Sequence, residues 1–258
     1  MRMRTIAIVN QKGGSGKTTT AVNLGAALAQ AGRRVLLIDL DPQASASSWL
    51  GISDGEAALA EVFTNDRPLR EAIMEVEAWA LTVAPASMWL VGIEKALAAE
   101  VGAELILARK LAELEAGPEA ERPDYALLDC PPALGLLTVN ALAAADRLII
   151  PVETHVMALG GLAQLLQSVE LVRQRLNADL QIAGIVACRA DFRTRHSREV
   201  IEQLRLRFGP LVYETVIREN IRLAEAPSFG EPIMTYAPGC AGAEDYTALA
   251  AEVIAQEP

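Results

Sequence analysis

The stretch Gly13-Gly14-Ser15-Gly16-Lys17-Thr18 constrains this chain more than any other. It stands between a short β-rich run, Thr5-Ile6-Ala7-Ile8-Val9, and a segment from Thr19 to Ala29 whose apolar residues recur at helical spacing. A glycine-rich turn in that position lets backbone N–H groups point inward beside a helix N-terminus, and together these bind anionic oxygens. Lys17 then reaches the β and γ phosphates of a nucleotide. The Thr18 hydroxyl takes a place on Mg2+, and Gly13, Gly14, Ser15, Gly16 and Thr19 line the phosphates. Gly32 ends the helix, and Val35-Leu36-Leu37-Ile38 reads as a strand buried on both faces, so the chain opens β-α-β.

The same alternation continues. Strands are expected at Leu81–Ala84, Tyr125–Leu128, Arg147–Val152, Ile182–Ala187 and Val212–Ile217, and helices at Gly92–Leu114, Leu159–Leu176, Ser197–Phe208 and Ala243–Ala255. Strands alternating with helices predict an α/β fold, a mostly parallel sheet with helices on both faces. Residues 1–258 read as one domain, with Gly117–Pro123 as an exposed connection. The apolar runs fall well short of the roughly 20 residues that cross a bilayer, and the basic start, Met1-Arg2-Met3-Arg4, has no small-residue cleavage site, so a cytoplasmic protein is expected. Cys130, Cys188 and Cys240 are odd in number and far apart, which favours buried apolar thiols over a disulfide or metal framework.

Two further acidic stretches follow strands. Asp39-Leu40-Asp41-Pro42-Gln43 leaves the second strand at the edge where ligands bind in open α/β sheets, and Leu127-Leu128-Asp129 is a buried strand ending in a carboxylate suited to bind Mg2+ through water. The guanine-reading pattern Asn-Lys-x-Asp is absent from the sequence, which makes adenine the expected base and ATP the expected nucleotide.

A second lysine, Lys12, opens the loop, where the generic phosphate-loop pattern asks for none. With it, Lys12-Gly-Gly-Ser-Gly-Lys-Thr-Thr19 resembles the deviant phosphate loop of the ParA/MinD ATPase family. The segments from Asp129 to Leu142 and from Asn220 to Gly230 resemble its Soj-like branch, the one without an N-terminal helix-turn-helix domain. The likeness spans essentially the whole chain. It implies a P-loop NTPase fold, a Rossmann-like three-layer sandwich, and a homodimer formed when ATP is bound, with Lys12 reaching the partner's nucleotide. It further implies Asp39 near Mg2+, Asp41 orienting the attacking water, a γ-phosphate sensor at Pro131–Leu137, and adenine against the loop after Ile182–Ala187 and against Ala226-Pro227-Ser228. Lys12, Lys17 and Asp41 are thus the expected catalytic residues, and Thr18, Asp39 and Asp129 those of the metal. The chain departs from the branch at Arg189, where relatives tend to have Met, at Arg218-Glu219, and at Glu153–Met157, which replaces a Gln/Tyr-rich stretch.

The formal charge of −10 opposes general binding to nucleic acid, yet eight arginines face five acids between Arg189 and Arg222. The resemblance implies that Arg193 and Arg222 bind double-stranded DNA without sequence preference, and Arg195 and Arg218 lie in the same stretch. The family's usual cycle implies slow hydrolysis speeded by a ParB-type centromere-binding partner, on the nucleoid. The same cycle serves orphan relatives that position a protein cargo such as a chemoreceptor cluster or microcompartment. A MinD-type membrane ATPase would want a basic C-terminal amphipathic helix, and no Lys or Arg follows Arg222. A metal-cluster carrier would want paired cysteines, and Cys130 is not paired in sequence.

Overall fold

The computed structural model describes residues 2–52, 57–155 and 158–257. Eight strands form one sheet: β1 (Arg4–Ile8), β2 (Val35–Asp39), β3 (Met74–Val76), β4 (Leu81–Ala84), β5 (Tyr125–Asp129), β6 (Arg147–Glu153), β7 (Gln181–Ala190) and β8 (Val212–Arg218). Their spatial order is β3-β4-β2-β5-β1-β6-β7-β8, and every pairing is parallel except that of β3 with β4.

The central strands are apolar at nearly every position because both faces are covered. Alternate residues feed two separate cores. Ala7, Leu36, Ile38, Ala126, Leu128, Leu148 and Ile150 point into one, which is closed by α3 (Ala58–Thr64), α4 (Ile93–Ala96), α5 (Ile106–Glu115), α6 (Leu136–Ala144), α7 (Ala158–Arg175) and α8 (Arg195–Phe208). Ile6, Ile8, Val35, Leu37, Tyr125, Leu127 and Ile149 point into the other. This second core is closed by α1 (Lys17–Gln30), α2 (Ser45–Trp49), α9 (Ile221–Phe229), α10 (Ile233–Tyr236) and α11 (Ala241–Ala255). The result is the three-layer arrangement expected from the sequence.

One local expectation needs correction, and one strand is additional. Gly92–Leu114 is not one helix: a short turn of α4 ends by Ala96, and α5 begins only at Ile106. Gly102 takes φ +80° between them, a left-handed conformation that breaks a helix and that glycine adopts without strain. β3 is an additional strand that the sequence pattern does not reveal, because it is a three-residue, mostly exposed edge strand with no alternation to betray it. The connection Gly117–Pro123 leads from α5 to β5, and the sheet takes strands from both sides of it.

Candidate nucleotide-binding site

The register of the sheet sets the site. Asp39 and Asp129 are paired residues at the C-terminal ends of β2 and β5, and Ile8, beside Asp129 on β1, leads into the glycine loop. The loop's start is fixed by Asn10, whose side-chain amide donates to the Pro151 carbonyl at 2.6 Å and whose Oδ1 accepts the Lys12 N–H at 3.0 Å. Gly14 and Gly16 turn the chain with φ +73° and +94°, values that a side chain would strain. Helix α1 then starts at Lys17 with no side-chain cap and no acid in its first turn. Its free N–H groups and positive dipole end are left for an anion.

The charged groups around that anion site are buried. The Lys17 side chain is almost wholly enclosed, and its Nζ reaches back to the Lys12 carbonyl at 3.5 Å. Burial pulls its pKa down against the opposing pull of Asp129 and Asp41. Asp129 is fully buried and neither carboxylate oxygen has a hydrogen-bond partner. Burial, and then neighbouring Asp39, push its pKa well up, while the nearby Thr18 hydroxyl and Lys17 pull the other way. An orphaned buried carboxylate is costly unless a cation completes it, so Thr18, Asp39 and Asp129 suit a hard divalent ion held partly through water. Asp39 is also fully buried, and its pKa is raised to about 6 by burial, despite hydrogen bonds from the Ser47 hydroxyl at 2.7 Å and the Ser47 N–H at 2.9 Å. Ser47 itself accepts the Ala86 N–H at 3.0 Å. Sequence reasoning does not single out Ser47, which orients Asp39 from α2; its place in a serine-rich turn just after Asp-Pro-Gln is the available signal.

A cavity of about 1110 Å3 opens above these groups. Gly13, Gly14, Gly16, Lys17, Thr18, Thr19 and Asp41 line one end. Cys188, Arg189, Ala190 and Asp191 of the β7 end, Ile217 and Arg218 of β8, and Ile221, Leu223 and Ala224 of α9 line the other, with Tyr246. Cys188, Arg189 and Ala190 are the end of β7 rather than a loop after it, and with Asp191 they bring the stretch expected near the base to the cavity. Pro227, also expected near the base, lies inside α9, exposed, one turn beyond Leu223 and Ala224, which line the cavity where Pro227 itself does not. Ser15 is buried beneath the loop with its hydroxyl unpartnered, outside the lining.

Lys12 is also outside the lining. Its Nζ makes a 2.5 Å ion pair with Glu153 Oε2, and its side chain is 42% exposed. Of the four candidate DNA arginines, Arg193, Arg195 and Arg222 are exposed and hold single carboxylates, Asp191, Glu199 and Glu225. Arg218 differs, because it is bound to Asp245, Glu244 and the Ala241 carbonyl and ties β8 to the start of α11. Cys130 and Cys188 are buried as expected, whereas Cys240 is half-buried. Val156 and Met157 of the divergent Glu153–Met157 stretch lie outside the described residues.

A glycine loop feeding an uncapped helix, a buried lysine under it and two carboxylates at adjacent strand ends define a P-loop nucleotide-binding protein. The AAA domain family matches residues 3–182. The chain is 46% identical to the sporulation initiation inhibitor protein Soj of Bacillus subtilis over 98% of both chains, and 44% identical to the chromosome partitioning protein ParA of Myxococcus xanthus over 98% of this chain and 89% of that one. It superposes with TM-score 0.83 on cobyrinic acid a,c-diamide synthase from Mycobacterium smegmatis with bound ATP analog and magnesium, at 34% identity over 96% of this chain and 93% of that one. The chain belongs to the ParA/Soj family of P-loop ATPases.

Proposed function

We propose that this protein is a partition ATPase: it binds MgATP, dimerises over it, holds non-specific DNA in that state, and is released when a partner speeds hydrolysis. Lys17, the loop N–H groups and the α1 N-terminus bind the phosphates, with Thr18 and Thr19 beside them. Mg2+, held by Thr18 and through water by Asp39 and Asp129, would offset the charge that builds on the phosphate oxygens. Asp41, at the cavity edge, is assigned to orient the attacking water. Partner stimulation would complete charge stabilisation that the isolated subunit lacks.

The observation that carries the reading is the division of labour between two loop lysines. Lys17 is buried and lines the cavity, while Lys12 stays outside the cavity lining and half exposed, so a second subunit can be reached by its charge. The kinship with the chromosome partitioning protein ParA of Myxococcus xanthus supports the partition role.

DNA is assigned to Arg193, Arg195 and Arg222, with Arg193 also at the cavity rim and so close to the nucleotide. Their ion pairs are solvent-exposed and weak, and DNA phosphates can displace the carboxylates without base readout. Arg218 is left out of this patch because its acceptors are within the fold. Among the described residues no helix is long and apolar enough to cross a membrane.

The test is retention on non-specific duplex with ATP, ADP or no nucleotide at two salt concentrations, for the wild type, Lys12→Ala and Arg193→Glu/Arg222→Glu. Salt-sensitive retention with ATP alone, lost in both variants, is expected. Retention indifferent to nucleotide would remove the switch from the proposal, and no retention at all would remove the DNA.

A further inference from the structure

At the rim of the cavity one carboxylate serves two cations. Glu153, at the end of β6, gives Oε2 to Lys12 at 2.5 Å and Oε1 to Arg189 at 3.1 Å. The geometry points to a latch: Glu153 holds Lys12 within its own subunit, and Arg189 weakens that hold and remains as the partner of Glu153 once Lys12 has crossed to a second subunit. This rests on the reading that Lys12 acts across a dimer.

The two cations are not equally free to move. Lys12 opens the glycine loop on a flexible four-carbon stem. Arg189 lies within β7, where the next residue, Ala190, pairs with Arg218 of β8, and the Thr154 hydroxyl donates to the Arg189 carbonyl at 3.1 Å. Arg189 also takes φ +54°, a left-handed conformation unusual for a residue with a side chain. Such strain persists where the surroundings hold it, and it clusters at ligand sites. The Arg189 side chain is the more exposed of the two, 58% against 42% for Lys12, so it is the reading of Lys12 as the residue that crosses the dimer that makes the lysine the member that leaves.

Electrostatics gives the departure its consequence. Glu153 is mostly covered, its side chain only 21% exposed, and a covered carboxylate left without a cation resists the loss of its partner. The Lys12 hydrogen bond holds the Glu153 carboxyl below the usual glutamate range, with smaller help from Lys12, Arg189 and His155 as nearby charges. With Arg189 in place, removing Lys12 leaves a closed ion pair rather than a lone anion. Glu153 and Arg189 both belong to the stretches where the sequence departs from the Soj-like branch, and the fold brings these two departures into contact. Both are positioning residues for Lys12.

The measurement is the dimer dissociation constant of the full chain by sedimentation in a non-hydrolysable ATP analogue with Mg2+, with ADP affinity and thermal stability of each variant alongside. Glu153→Gln frees Lys12 and should tighten the dimer about fivefold, the upper range for a partly exposed ion pair. Arg189→Met removes the cation that competes with Lys12 for Glu153 and should weaken the dimer about twofold to threefold. Because Arg189 acts through the Glu153 charge, Glu153→Gln/Arg189→Met should match Glu153→Gln. ADP affinity should stay level in Glu153→Gln, whose residue lies outside the cavity lining, whereas a merely structural role would move stability and affinity together in one direction. The latch is overturned if both single variants match the wild type or shift the same way. It is also overturned if Arg189→Met keeps its effect in the Glu153→Gln background, which would place Arg189 on the nucleotide directly. If the wild type stays monomeric with the analogue, the dimer reading falls and takes the latch with it. If the wild type dimerises and Lys12→Ala abolishes this while Glu153→Gln and Arg189→Met change nothing, the dimer reading stands and only the latch is lost.

Discussion

At the phosphate end of the cavity the polar side chains stand on or just after β1, β2 and β5, buried and fixed by strand register, whereas the far end, from β7, β8 and α9, is built of exposed arginines and apolar side chains. Asp39 and Asp129 owe their places to a parallel ladder whose pairing cannot slip without turning every apolar residue to the wrong face. The far end depends on one strained residue, Arg189, on ion pairs with solvent access, and on how far α9 runs. The groups suited to phosphate and a divalent ion sit on the register-fixed end, and the side chains with solvent access sit on the other.

The largest expected effect is at the rigid end. Lys17→Ala removes the buried cation beneath the loop and leaves Asp129 and Asp41 without the charge that offsets them. ATP hydrolysis should fall at least ~100-fold, in line with the loss of a preorganised charge aimed at a reacting phosphate, and nucleotide binding should weaken with it. Calorimetric titration with MgATP beside a phosphate-release assay reads both. Retained tight binding and turnover would mean that the phosphates do not lie over Lys17.

A smaller effect should follow at the support of the same end. Ser47→Ala takes two roles from one hydroxyl, donating to Asp39 and accepting from the Ala86 N–H. Residues that orient a metal-binding carboxylate are worth about 10-fold to 100-fold in metal affinity or activity, so the Mg2+ concentration for half-maximal hydrolysis should rise about tenfold. The Ser47 N–H still donates to Asp39, which keeps the effect below that of Lys17→Ala. An unchanged Mg2+ dependence would detach Asp39 from the metal.

How much of this is legible in the sequence follows the same division. β2 and β5 announce themselves as apolar runs closed by an aspartate, β1 as a short β-rich run, and the loop's glycines and Lys17 as a motif whose flanks agree. Ser47 is not legible, because its importance comes from contacts to Asp39 and Ala86 that no local spacing encodes. The Glu153 contact to Lys12 joins residues 141 apart, and only the fold brings them together. The basic character of residues 189–222 is countable, but not that Arg218 is held by α11 while Arg193 is not. The break between α4 and α5 is marked in the sequence only by Gly102 itself, and it is the left-handed φ of +80° there that shows the chain leaving the helix.

Pro227 offers the smallest effect and the sharpest contrast between the two ends. A base contact there would make Pro227→Ala weaken nucleotide binding. In the structure Pro227 is exposed within α9 and outside the cavity, while Leu223 and Ala224 line it one turn earlier. Proline in a helix interior forgoes a backbone hydrogen bond, here to the Leu223 carbonyl, and alanine would restore it at the expense of a more flexible unfolded chain. ADP affinity by calorimetry should therefore stay within about twofold, the resolution of a change that touches no ligand atom, while thermal stability is the quantity that moves. Ala224→Phe, which fills the cavity from the same helix, should weaken ADP binding more than Pro227→Ala does. If Pro227→Ala instead costs affinity with stability unchanged, α9 must shift along its axis when nucleotide binds, and the far end would be shaped by the ligand rather than ready for it.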